Sequence, residues 1–191
     1  MDQDKLQKDI LALYSSLREK MRREWDRDLP FDELLFNRWE RARDQHFSEG
    51  ANIYHMSYIY GDVKVGKDTW VGPFTILDGT GGLTIGEHCC ISTGVHIYTH
   101  DTAKRFVSGG KAPNEYKPVT IGDCCFIGPQ SVVRCGVSVC DHTVVGAFSF
   151  VTNDLPPFSI AAGIPAKILG KVIIDKDMNV SFEYFPKSKV P

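Results

Sequence analysis

At 191 residues, with 42% hydrophobic residues and a formal net charge of -2, the chain is long enough to bury a core of its own without disulfide or metal staples. Its 22 Lys and Arg residues are spread among 24 Asp and Glu, which excludes the long-range field that would draw the protein to nucleic acid or an anionic membrane. No apolar run approaches the ~20 residues of a membrane span, and the start Met1-Asp-Gln-Asp-Lys5 is polar where a signal peptide is basic and then apolar, so a soluble, cytoplasmic protein is expected.

Residues 1–50 read as a helical segment. Leu6, Ile10, Leu13, Leu17 and Met21 recur every three or four positions between charged residues, which predicts a first helix to about Trp25 with one apolar stripe for packing. Pro30 opens a second helix, with Asp32 and Glu33 in the first turn where negative charge suits the dipole, and Leu34, Leu35, Trp39 and Ala42 as its buried face.

From Ile59 the pattern changes to a period of six. Ile59, Val65, Val71, Leu77, Ile85, Ile91, Ile97, Ile121, Ile127, Val133, Val139, Val145 and Val151 are all Ile, Leu or Val. Glycine often follows, as at Gly66, Gly86, Gly122 and Gly146, and is expected to ease a tight corner. Four positions past the aliphatic residue stands a small or β-branched one, such as Thr69, Thr75, Cys89, Cys125 or Thr143. A six-residue unit cannot bury its own aliphatic side chain, so the units must stack as a β-solenoid over residues 51–170. The six cysteines fall as Cys89-Cys90, Cys124-Cys125, Cys135 and Cys140, with no C-x-x-C spacing. Adjacent cysteines point to opposite sides of an extended chain, so they are expected to be reduced packing residues rather than metal ligands.

Two interruptions break the period. Between Leu77 and Ile85 an insert containing Gly79, Gly81 and Gly82 predicts a bulge. Between Ile97 and Ile121 the phase is kept while residues 99–118, rich in Gly, Lys, Asn and Pro, leave the solenoid as a projecting loop. Beyond Pro156-Pro157, apolar stretches flank the polar turn Asp175–Asn179, so residues 171–191 are expected to form a hairpin or cap over the last coil.

The hexads, the loop beginning Tyr98-Thr-His-Asp101 and the terminal stretch from Val144 to Gly170 together resemble the hexapeptide-repeat acyltransferases, in particular the sugar O-acetyltransferase branch that includes galactoside, maltose and polysaccharide acetyltransferases. The resemblance implies a mainly β fold, a left-handed parallel β-helix, with acetyl-CoA as donor, no metal, and a homotrimer whose active sites lie between subunits. It implies transfer of an acetyl group to a hydroxyl of a sugar or polysaccharide precursor.

His100 matches the family's catalytic histidine and is the expected general base, since a neutral imidazole can take a hydroxyl proton. Its other ring nitrogen needs an acceptor. Glu115 is the expected orienting carboxylate and Asp101 the alternative, while Asp78 beside the glycine bulge, together with Asp101, is expected to bind the acceptor. Ala147 and Thr152 match CoA contacts, Lys167 matches a basic residue near the CoA phosphates, and Lys171 stands in for the next basic position, occupied here by Gly170. Asn153 replaces the family's frequent lysine after the threonine. His46, His55, His88 and His142 are expected to be solvated or structural. Competing readings are an N-acetyltransferase of an amino sugar, a γ-type carbonic anhydrase, for which His96 and His100 are the nearest ligand pair, and a non-catalytic β-helix scaffold.

Overall fold

The computed structural model describes residues 2–186, so Met1 of the helical segment and residues 187–191 of the expected cap lie outside the described residues. The chain begins with α1 (Gln3–Trp25), capped by the Asp2 carboxylate accepting from the backbone of Asp4 and Lys5. The expected second helix is two short ones, α2 (Phe31–Leu35) and α3 (Arg38–Asp44), because Phe36 is extended and Asn37 caps a new start, its side chain accepting from Trp39 N at 2.9 Å and Glu40 N at 3.2 Å. That break changes the buried face. Ala42 and Glu33 are buried, Leu34 is half-buried, and Leu35 and Trp39 are exposed, contrary to the single-helix pattern. The stripe of α1 is largely open in one chain, with Leu6, Ile10 and Leu13 more than 40% exposed, while Tyr14 packs edge-on against Phe31.

The helices dock on the first coil through polar groups. Glu33 accepts from Met56 N at 2.9 Å, and the Arg41 guanidinium donates to the carbonyls of Tyr54 and Ser57. The repeats begin at the strand Asn52–Ile53, one unit before Ile59 and within the expected bounds. Three faces then stack in register. Ile53, Val71, Ile91, Ile127, Val145 and Ala161 form the first, Ile59, Leu77, Ile97, Val133 and Val151 the second, and Val65, Ile85, Ile121, Val139 and Leu155 the third. All the pairings within these faces are parallel, and the fold is the left-handed parallel β-helix expected. The aliphatic column is the core: every one of these residues is buried except Ile59, which is half-buried at the helical end.

The corner positions refine the role of glycine. The left-handed residue stands three past the aliphatic one, at Asp68, His88, Cys124 and His142, all with φ of 52–56°. Glycine directly after the aliphatic residue serves close approach instead: a Cβ on Gly66 would lie 2.5 Å from the Gly86 carbonyl carbon of the next coil. The small residues four past the aliphatic one close the corner. Thr69 Oγ1 donates to Gly86 O at 2.8 Å and accepts from Cys89 N at 3.0 Å, and Ser131 repeats the arrangement with Gly146 O and Ser149 N. Cys89 and Cys125 are buried in the same positions, and all six cysteines are free.

The chain then leaves the solenoid by reversing direction. Ser159–Gly163 pairs antiparallel with Ala166–Ile174, which pairs antiparallel with Val180–Tyr184 around the Asp175–Asn179 turn. The hairpin therefore extends the first face sideways, from Ala166 rather than from 171, and its last strand is fully exposed.

Candidate active site

Phase-preserving insertion leaves residues 99–118 anchored at both ends. His100–Asp101 pairs antiparallel with Glu115–Tyr116, Lys117 N donates to Thr99 O at 2.8 Å, and α4 (Ala103–Val107) fills the excursion. The stem of Lys117 lies against Gly136, where an added Cβ would be 3.1 Å from Lys117 Cδ. His100 is thus held at the corner that follows the second face.

The same corner, one coil earlier, carries Asp78. Leu77 and Ile97 are register partners, so the residues after them, Asp78 and Tyr98, are neighbours in the stack although far apart in sequence. The Asp78 carboxylate is 1% exposed and fully engaged. Oδ1 accepts from Thr80 N at 3.0 Å and Thr80 Oγ1 at 2.7 Å; Oδ2 accepts from Thr99 N at 2.8 Å and lies 2.6 Å from His100 Nδ1. Burial disfavours the ionised form, but the hydrogen bonds from Thr80, Thr99 and His100 outweigh it and hold Asp78 below the usual carboxylate range. An ionised carboxylate can only accept, so Nδ1 carries the proton and Nε2 of the neutral ring has a free lone pair.

The glycine bulge makes this possible. Gly81 N donates to Thr99 Oγ1 at 2.7 Å, and a Cβ there would sit 2.4 Å from Thr99 O. At Gly79 a Cβ would lie 2.2 Å from Asp62 O. Both glycines let the bulge lie flat on adjacent backbone, which turns Asp78 toward the histidine.

This arrangement corrects the assignment of the carboxylates. Glu115 does not meet His100: it is ion-paired with Lys104 and lies 4.0 Å from Lys117. Asp101 Oδ1 accepts from Ala103 N at 2.8 Å, closing the turn that leads into the loop helix. Asp78, expected to meet acceptor hydroxyls, has both oxygens occupied by protein donors, His100 Nδ1 among them. The missed signal was the coil register, which places the residue after Leu77 beside the residues after Ile97.

His100 lines an open cleft of about 370 Å³ with Tyr98, Asp101, Arg134, Cys135 and Phe150. The residues after the second-face aliphatics form a column, Tyr60, Asp78, Tyr98, Arg134 and Thr152, so Thr152 lies two coils below Tyr98 on the histidine's corner. Ala147 lies on a different corner, after the first face, where Gly146 abuts Ala162. Lys167 pairs with Ala162 and so borders that edge, whereas Lys171 pairs with Ser159, at the other end of the same strand; both lysines are exposed. One chain therefore does not bring Thr152 together with Ala147 and the lysines. His96 is bonded to Tyr98 OH at 3.3 Å, and among the described residues no three His, Cys, Asp or Glu side chains gather closely enough to hold a metal. His88 and His142 sit at corners, His142 stacked on Phe158, while His55 is half-buried against Phe36.

Residues 118–153 match the bacterial transferase hexapeptide (six repeats) family model. The chain is 32% identical over 138 residues to galactoside O-acetyltransferase of Escherichia coli K12, covering 72% of this chain and 63% of that protein, so the match spans less than two thirds of the relative. Among solved structures it resembles galactoside acetyltransferase in complex with coenzyme A, at 26% identity and a TM-score of 0.57, over 74% of this chain and 70% of that one. It also resembles a hexapeptide-repeat-containing acetyltransferase of Vibrio cholerae complexed with acetyl coenzyme A, at 27% identity and a TM-score of 0.56, over 85% and 88%. With the stacked hexads and the projecting loop, these likenesses make the chain similar to the hexapeptide-repeat transferases of bacteria.

Proposed function

We propose that the protein moves an acetyl group from acetyl-CoA to a hydroxyl of a sugar, in sites formed between the subunits of a homotrimer. The observation that carries this reading is the 2.6 Å contact of His100 Nδ1 with buried Asp78, which leaves Nε2 as a base at the mouth of a cleft. The likeness to proteins solved with coenzyme A and acetyl coenzyme A supports the donor. In the reaction, Nε2 takes the proton of the acceptor hydroxyl as its oxygen attacks the thioester carbonyl. The tetrahedral intermediate collapses with cleavage of the C–S bond, and the imidazolium returns its proton to the departing CoA thiolate. Asp78 stabilises the imidazolium and keeps the ring from turning. The separation of Thr152 from Ala147 and Lys167 on two corners supports a CoA site completed by a neighbouring copy, with Lys167 and Lys171 as the cations for its phosphates.

The test is melting with and without acetyl-CoA, followed by free-thiol release against a panel of galactosides, glucosides and maltose. A ligand at a hundred times its dissociation constant adds ~2.7 kcal/mol of stability, which such a scan resolves. His100→Ala is expected to keep the acetyl-CoA shift and lose ~100-fold or more in turnover. A wild-type protein that shows neither shift nor thiol release would remove this reading.

A further inference from the structure

The base and its carboxylate account for the proton but not for the negative charge that develops on the thioester oxygen. That charge needs a donor in the cleft. Tyr98 OH is engaged with His96, and Asp101, at the cleft wall, is an acceptor. Arg134 lines the same cleft and is, among the described residues, the one permanently cationic side chain on its wall. Its place is fixed from two directions. Val133 pairs with Ile97 on one side and Val151 on the other, so Arg134 follows Tyr98 in the corner column, and its backbone N donates to Val151 O at 3.0 Å. Adjacent strands are ~4.8 Å apart, so the Arg134 side chain starts one strand spacing from the histidine's coil, on the side of Thr152. Among the described residues it has no carboxylate within ion-pair distance, whereas Lys104 of the loop is taken by Glu115. An arginine on an open wall with no acid to neutralise it has its fork of donors available to substrate.

We propose that Arg134 is a catalytic residue of this reaction, its guanidinium donating to the thioester carbonyl of acetyl-CoA and to the oxyanion formed from it. The inference rests on the acetyltransferase reading. It places the acyl group between two groups on one corner: His100 Nε2 above, receiving the hydroxyl proton, and Arg134 below, receiving the carbonyl oxygen. The carbonyl C=O electrons move to that oxygen as the acceptor's C–O bond forms, and return as the C–S bond breaks, with Arg134 unchanged at the end.

The experiment compares wild type with Arg134→Gln and Arg134→Lys, following thiol release from acetyl-CoA with p-nitrophenyl β-galactoside as acceptor and, separately, with water alone. Removing one oxyanion donor lowers kcat by ~100-fold or more, with KM for acetyl-CoA within ~3-fold of wild type. Lysine, which keeps the charge without the fork, should recover part of that loss. Melting temperature, the acetyl-CoA-induced shift and the pH at which kcat rises should match wild type, since the base is untouched. Unchanged kcat in Arg134→Gln would overturn the proposal. So would a loss confined to KM for acetyl-CoA, which would make Arg134 a CoA-binding residue, or one confined to KM for the galactoside, which would make it an acceptor contact. A wild-type protein without thiol release in either assay and without an acetyl-CoA shift would instead end the acetyltransferase reading itself.

Discussion

Asp78 and His100, twenty-two positions apart in sequence, meet at 2.6 Å because the β-helix puts them on one corner in successive coils. Both Asp78 oxygens face donors: Thr80 N and Oγ1 on one side, Thr99 N and His100 Nδ1 on the other. An asparagine there must point its NH₂ group at one of those donor pairs whichever way it turns. Asp78→Asn is therefore expected to lower kcat ~100-fold or more, with little change in KM for acetyl-CoA, because the amide either opposes Nδ1–H with its NH₂ group or, turned over, no longer offers the imidazolium a negative charge. Steady-state kinetics at fixed acceptor decide it; a variant within a few-fold of wild type would mean the contact is only structural.

The same carboxylate makes stability depend on acid. Its folded pKa lies below the ordinary carboxylate value, so in the unfolded chain it binds a proton at a higher pH than in the native one. Its contribution is fully present above the unfolded value of ~3.9 and is lost as pH falls through the folded value. Melting temperature measured from pH 7 down to pH 3 should drop steeply at the acid end in wild type. In Asp78→Asn it should start lower and fall less over that window. Parallel curves for the two proteins would show that other carboxylates set the acid limit.

The glycine bulge separates crowding from backbone strain. Gly81→Ala puts a methyl group 2.4 Å from Thr99 O, an atom already holding Lys117 N, so neither neighbour can yield without moving the strand that carries His100. The cost should be about 1–3 kcal/mol, together with a fall in kcat. Gly82 has φ of 93°, but its added Cβ meets only Pro118 Cβ at 3.8 Å. Gly82→Ala should thus lose stability through strain alone and keep its turnover closer to wild type. Urea unfolding and thiol release on both variants check the pair, and equal losses of activity would remove the distinction.

The fold was legible because a period of six admits little else, and Ile53, one period before Ile59, carried the same signal without a following glycine to mark it. The orienting carboxylate was not legible from distance along the chain, where Glu115 and Asp101 are the nearer acids to the loop's histidine. Counting hexads three at a time would have placed Asp78 above Tyr98 and Arg134 below it. The break between α2 and α3 was signalled only by Asn37, a good N-cap inside an otherwise helical stretch. The stripe of α1 is covered within the chain only toward its C-terminal half, at Tyr14, Leu17 and Met21, and Leu6, Ile10 and Leu13 stay open.

The division of the proposed CoA site between two corners gives the sharpest test of the assembly. His100 and Thr152 lie after the second face, Ala147 and the Lys167 edge after the first, and the triangular coil keeps these corners apart. If each site joins the histidine corner of one subunit to the alanine corner of its neighbour, two inactive variants can repair each other. His100→Ala removes the base but leaves an intact alanine corner, while Ala147→Trp blocks the CoA edge but leaves an intact base. Trimers containing both chains then include interfaces that pair the intact His100 of one with the intact Ala147 of the other. Coexpression of differently tagged chains, followed by two-step purification, should recover a clear fraction of wild-type thiol release from two proteins that show almost none alone. No recovery in trimers shown by sedimentation to contain both chains would place each site within a single subunit.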